Sequence, residues 1–240
     1  MLKIDCTDRH FSEIGELIRH TQEKSIEIDN AQGHRYIASG VGGKDIVIYG
    51  TPGNALGAYL DGSKITVYGN AQDAVGDTMD EGLIVVHGNS GDAAGYSMRG
   101  GKIFIKGNAG YRAGIHMKAY KDKFPVLVIG GKAGSFLGEY QAGGIIIVLG
   151  IGSDSQTNVG YFTGNGMYGG KIILRGDRLP DLPEQISARE ATADDIKEIR
   201  TYVEEYCSYF GAEIGDIMKN KFFVITPNTA NPYKQLYTSV

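Results

Sequence analysis

A strand-plus-glycine unit recurs about every nineteen residues across residues 45–177, and this period decides what the chain can become. Apolar runs at 46–48, 65–67, 84–86, 103–105, 126–128, 146–148 and 172–174 are closed by Gly50, Gly69, Gly88, Gly107, Gly130, Gly150 and Gly176. The first three gaps are identical. A second signal, G-x-x-G-x-x-x-G, follows at Gly50/Gly53/Gly57, Gly88/Gly91/Gly95, Gly107/Gly110/Gly114 and Gly131/Gly134/Gly138, while Gln72 interrupts it between Gly69 and Gly76. Each run is β-branched, too short for a helix and bounded by glycine, so the unit reads as a strand, a turn and a second small-residue stretch. Self-similarity at a short fixed period implies a solenoid. The expected fold is an all-β core built as a right-handed parallel β-helix of about seven rungs, roughly 30 Å long at one strand spacing per rung.

Alternation assigns the faces. Positions two and four before each closing glycine are Ile, Val or Leu in all seven runs, so they are expected to line the core. Positions one and three before it are mixed in the early units (Val47, Tyr49, Thr66, Tyr68, His87, Lys106) and apolar later. Leu127, Ile129, Ile147 and Leu149 are therefore expected to form an outward apolar strip that something must cover.

Three domains are expected: an N-terminal α/β cap at 1–40, the coil at 41–177, and a linker, docking helix and extended arm at 178–240. In the cap, Thr7-Asp8 can start a helix with Phe11, Ile14, Leu17 and Ile18 on one face, and 25–29 reads as a strand that could begin the solenoid. An open terminal rung needs such a cover. At the other end, Thr192-x-x-Asp195 forms an acidic capping box ahead of Ile196, Ile199, Val203, Tyr206 and Phe210, and Gly211 stops the helix. The outward strip is its expected dock. Residues 222–225 read as a strand, and 226–240, with Pro227 and Pro232, as an arm. Insertions at 116–123 and 151–157 lengthen two units; the first is read either as a solvated loop or as a docking loop.

Composition narrows the function classes. A net charge of −4 gives no electrostatic footprint for nucleic acid. Cys6 and Cys207 lack CxxC or metal spacing, which fits a reducing cytoplasm better than a disulfide framework. No signal peptide or long apolar run is legible, so no membrane role is expected.

Polar residues also stack. Asn70, Asn89 and Asn108 directly follow their glycines, and Asn54, Asp73 and Asp92 stand four residues after theirs. Such residues suit tight corners and bond local backbone, which gives a turn ladder; alternatively Asp73 and Asp92, with Asp77 or Lys106, could supply paired-carboxylate chemistry. Gly164, Gly166 and Gly169 match G-x-G-x-x-G, but a strand follows rather than a helix. No G-x-S-x-G elbow or H-E-x-x-H motif occurs, and His87 falls on an outward strand position. No catalytic, cofactor-binding or metal-ligating constellation is expected, and no cofactor.

The repeated glycine pattern, carried by residues 50–57, 69–76 and 107–114, resembles the GXGXG β-helix domain. That domain forms the C-terminal part of the glutamate synthase large subunit, with a relative in the C subunit of formylmethanofuran dehydrogenase. The resemblance covers roughly residues 35–177. It implies a scaffold that packs against amidotransferase and FMN-binding domains without supplying catalytic residues. Because this chain lacks a flavin barrel and an N-terminal nucleophile, the resemblance implies a free-standing scaffold subunit of a glutamate synthase-like oxidoreductase complex. Its partners would be separately encoded flavin-dependent synthase and amidotransferase subunits. Two other readings stay open: an independent β-helix hydrolase or lyase with an aromatic groove from Tyr49, Tyr68, Tyr96 and Tyr111, and a self-associating, homo-oligomeric structural protein.

Overall fold

The computed structural model describes residues 1–153 and 157–228. The elements in order are β1 (Leu2–Asp5), α1 (Phe11–His20), β2 (Ser25–Gln32), β3 (Asp45–Thr51), β4 (Asp61–Tyr68), β5 (Glu81–Val86) and β6 (Lys102–Ile105). They continue with β7 (Val126–Ile129), β8 (Ala142–Val148), β9 (Gly169–Arg175), β10 (Ile186–Glu190), α2 (Ala193–Phe210), α3 (Ile214–Met218) and β11 (Phe222–Pro227). The core is all-β. One mixed sheet of 11 strands runs in the order β1 to β9, then β11, then β10. The first nine are parallel neighbours in chain order, and β11 enters antiparallel between β9 and β10.

The seven repeated runs become β3 to β9. Ile46 pairs with Ile65, Ile65 with Ile84, Ile84 with Ile103, Ile103 with Leu127, Leu127 with Ile146 and Ile146 with Ile172, a column of side chains that all enter the main core. Away from the strands the turns are tied by a second set of bonds. The N–H groups of Gly57, Gly76, Gly95 and Gly114 donate to the carbonyls of Ile37, Leu56, Val75 and Ala94, one turn back, at 2.7–2.9 Å. Leu60, Met79, Met98, Met117 and Met167 are buried in the same core at the matching position of successive turns, with the buried Gln141 holding that position between Met117 and Met167. Methionine suits that position because its flexible thioether fills gaps between stacked turns.

One register expectation is corrected. In the fifth run the residues paired with Ile103 and Ile105 are Leu127 and Ile129, and both are fully buried in the main core. Val126 and Val128 face outward instead. The closing glycine of this turn is thus Gly131, not Gly130, and a slip of one residue exchanges the two faces of a strand. The outward strip is real but consists of Phe104, Val126, Val128, Ile145, Ile147, Leu149 and Ile173.

The N-terminal segment also departs in detail. Strands β1 and β2 pair in parallel with each other and then with β3, so the sheet begins at Leu2. Helix α1 starts at Phe11 with His10 as its cap, because Thr7 is engaged with Asp5 Oδ1 through both its N–H (2.9 Å) and its hydroxyl (2.8 Å). Ile14 and Ile18 are buried while Leu17 is 38% exposed. The 116–123 insertion folds back on its own chain, Tyr120 bridging to Lys123, whose ammonium lies 3.8 Å from Asp61 and 3.9 Å from Glu81. Part of the 151–157 insertion, and the arm from residue 229 with Pro232, lie outside the described residues.

Helix α2 has the capping box expected of Thr192 and Asp195, and Gly211 ends it in the left-handed conformation at φ 68°. Its Ile199, Val203 and Tyr206 are buried on the outward strip together with Ile217 of α3 and Phe222 and Val224 of β11. A helix laid on that strip removes it from water, at roughly 1.5–3 kcal/mol per fully buried large side chain.

Candidate interaction surface

The stacked polar residues form two hydrogen-bonded ladders. Asn70 Oδ1 accepts from the N–H of Asn89, Asn89 Oδ1 from that of Asn108, and Asn108 Oδ1 from that of Lys132, each at 2.8 Å. In the second, Asn54 Oδ1 accepts from the N–H of Asp73 (3.3 Å), Asp73 Oδ1 from that of Asp92 (2.9 Å), and Asp92 Oδ1 from that of Tyr111 (2.8 Å). The glycines belong to the same device. A Cβ at Gly88, Gly107 or Gly131 would lie 2.3–2.4 Å from the asparagine oxygen of the turn before, and one at Gly91 or Gly110 would lie 2.1 Å from the aspartate oxygen. An amide or an acid serves equally, since only the carbonyl-type oxygen is used. Asp77 accepts instead from the Thr78 hydroxyl at 2.7 Å, away from this ladder.

The outward aromatic residues are organised as columns rather than as one groove. Tyr49 stacks on Tyr68 (5.3 Å between ring centres), Tyr68 on His87 (4.6 Å), and His87 meets the edge of Phe210 of α2 (5.1 Å). Tyr49 and Tyr68 remain 43% and 48% exposed. Burial, and secondarily the Lys106 ammonium, lowers the His87 pKa and so favours the neutral ring that stacks. Tyr96 lies elsewhere, 6.0 Å from His116, which in turn stacks on Tyr140 at 5.2 Å. On a neighbouring corner Arg112 lies over Phe136 (4.9 Å), which stacks on Phe162 (5.1 Å). The Phe136–Phe162 pair is hidden in the sequence because insertion stretches its spacing to 26 residues.

Helix α2 covers only the later part of the outer sheet face. Beyond it, Val47, Tyr49 and Tyr68 stay accessible on β3 and β4, in line with the aromatic end of α2. Tyr206 marks the covered side: its hydroxyl donates to the Lys106 carbonyl at 3.1 Å, and a Cβ on Gly130 would collide with that hydroxyl. Burial pushes the Tyr206 phenol up to about 12. Gly164, Gly166 and Gly169 run into β9, with no helix to hold a pyrophosphate. Among the described residues no group of three or more His, Cys, Asp or Glu side chains is placed to hold a metal ion, and no helix is long and apolar enough to cross a membrane.

Comparison with known proteins agrees with this architecture. A chain of the formyltransferase/hydrolase complex FhcABCD from Methylorubrum extorquens, solved with methylofuran, shares the fold at a TM-score of 0.64 and 17% identity, over 92% of this chain and 88% of that one. Protein MJ1350 of Methanocaldococcus jannaschii, described as uncharacterised, is 45% identical over 98% of this chain and 95% of its own length. The GXGXG motif family matches residues 17–229, from within α1 to just past β11, and with its glycines seated as above the protein belongs to that family.

Proposed function

We propose that this chain is a non-catalytic scaffold subunit of a multi-subunit complex whose chemistry resides on separately encoded chains. The observation that carries this reading is the exposed pair Tyr49 and Tyr68, continued by the half-buried His87 into a stacked aromatic strip on the open half of a sheet face whose other half is dry under α2. Aromatic residues are enriched where protein surfaces meet, and a contiguous exposed strip of them favours a partner. The carboxylates most suggestive of catalysis, Asp73 and Asp92, are occupied as acceptors for the backbone of the next turn, which disfavours a hydrolase or lyase. The shared fold with a subunit of an enzyme complex is in keeping with this.

In finer terms, the parallel sheet with its inter-turn corner bonds is read as a right-handed parallel β-helix. Residues 1–40 are its cap, 41–177 the coil, and 178–240 the linker, docking helix and arm. The partners are assigned to a glutamate synthase-like assembly of a flavin-dependent synthase and an amidotransferase, in the cytoplasm, in keeping with the free thiols of Cys6 and Cys207. A tagged pull-down from the native cell, with mass spectrometry and an absorption spectrum of the eluate, tests the proposal. Recovery of both a flavoprotein and an amidotransferase is expected. A colourless, partner-free chain would overturn it.

A further inference from the structure

We propose that the recess beside the C-terminal end of β9 binds a single phosphate group through Arg175 and Arg178. The site does not depend on the assembly reading. The recess has a volume of about 260 Å³ and its charged and amide lining comprises Asn158, Arg175, Asp177, Arg178 and Asn220. Arg175 follows inward-facing Leu174 and so points out of the core; its Nε donates to the Leu149 carbonyl at 2.5 Å, which pins the guanidinium against the preceding strand. Asn158 fixes the same residue from the main-chain side, its Nδ2 donating to the Arg175 carbonyl at 2.7 Å. Asn220 is held in turn by the Asp216 carbonyl at 2.9 Å.

These two arginines differ from most others in the chain. Arg19, Arg99, Arg112, Arg189 and Arg200 each have a carboxylate partner. Arg175 and Arg178 have none among the described residues, and Arg175 is half-buried, so that burial, opposed only by the nearby Asp177 charge, lowers its pKa. Removing a cation from water without a counter-charge is costly. The terminal nitrogens of Arg175 carry N–H donors in a planar fork with no acceptor among the described residues, the geometry that suits phosphate and carboxylate oxygens. Arg178 brings a second fork three residues on. Among the described residues that line the recess, two cations and one anion, Asp177, give a single positive charge, which suits one phosphate group rather than a polyanion. The recess is also larger than a carboxylate needs, leaving space for the body of a small phosphate monoester.

The test is calorimetric titration of the full chain with inorganic phosphate and with glycerol 3-phosphate, at constant ionic strength set by chloride, beside succinate as a carboxylate control. Saturable phosphate binding is expected, about tenfold weaker in Arg178→Gln, which loses charge-assisted bonds, and several-fold tighter in Asp177→Asn. Opposite shifts from neighbouring exposed side chains separate a binding role from a merely structural one. Tighter binding of glycerol 3-phosphate than of inorganic phosphate supports a monoester ligand. Absence of saturable heat with phosphate, succinate binding as tightly, or an unchanged affinity in both variants would each overturn the proposal. Both variants alter exposed positions, so folding does not confound them.

Discussion

At the scale of single residues, the Asn/Asp ladders and the glycines Gly88, Gly91, Gly107, Gly110 and Gly131 are one structural statement: each of these glycines is small because the side-chain oxygen of the preceding turn occupies its Cβ position, whereas Gly57, Gly76, Gly95 and Gly114 are needed for their left-handed backbone, φ 63–71°. Gly91 shows this most directly, with Asp73 Oδ1 only 2.1 Å from where a Cβ would stand. Gly91→Ala should therefore destabilise by about 2–3 kcal/mol, the cost of overpacking a tight site. In an Asp73→Ala background roughly half of that cost should disappear, the remainder reflecting backbone atoms of Gln72 and Asp73 at 3.1 Å. Denaturant unfolding of the two single variants and the double variant measures the coupling; simple additivity would refute the shared-space account. The same ladder predicts that Asp92→Asn is nearly neutral while Asp92→Ala costs about 1 kcal/mol, because only the alanine leaves the Tyr111 N–H without its acceptor.

At the scale of elements, α2 is the piece whose role was most legible in the sequence, since both its capping box and its apolar stripe are local signals. Arg189 makes the box stronger than the sequence alone suggests. Its guanidinium grips Asp195 through both terminal nitrogens (2.5 and 3.1 Å), while the Thr192 N–H and hydroxyl donate to the same carboxylate at 2.8 and 2.7 Å. These bonds, led by that from Arg189, hold the Asp195 carboxyl well below the ordinary range. The folded chain thus binds this proton more weakly than the unfolded chain. Its stabilisation is complete above about pH 4, the unfolded aspartate value, and is lost as pH falls toward the folded one. Asp195→Asn should flatten that part of the stability–pH curve, as read by thermal unfolding between acid and neutral pH; an unchanged acid limb would exclude the cap as its source. Tyr206→Phe should cost about 1 kcal/mol by freeing the Lys106 carbonyl under the helix. The face on which α2 docks was only partly legible. Gly130-Gly131 offers two candidate closing glycines, and the strand alternation alone cannot choose, because 126–129 are all apolar. The second glycine motif, which begins at Gly131, carried the correct choice. The start of α1 was missed for a different reason, since Thr7 spends its side chain on Asp5. The arginine recess left no motif, because Arg175, Asn158 and Asn220 are distant in sequence and meet only in the folded chain.

At the scale of the whole molecule, β1 to β9 each pair with the strand before and the strand after, so the contribution of the parallel sheet to stability is approximately a sum over neighbouring strand pairs. The turns from β3 to β6 share one spacing of 19 residues and one pairing register. Removing residues 70–88 joins Gly69 to Asn89, which restores the same glycine–asparagine junction, sets the β6 run beside β4 and leaves every inward side chain inward. The shortened chain should fold with a parallel sheet one strand smaller, at a lower melting temperature, while α2 keeps its dock on β6 to β9. Removing 71–88 takes one residue fewer, and for that very reason should fail. The junction would then carry an extra residue, which must be expelled as a bulge or would turn Ile103 and Ile105 toward solvent. Circular dichroism and thermal unfolding of the two deletions, compared at equal concentration, distinguish these outcomes. If both fold equally well, the corner ladders absorb a one-residue slip and the period does not govern the register; if neither folds, the turns are not interchangeable units, and the stability of the sheet depends on the particular neighbours β5 provides.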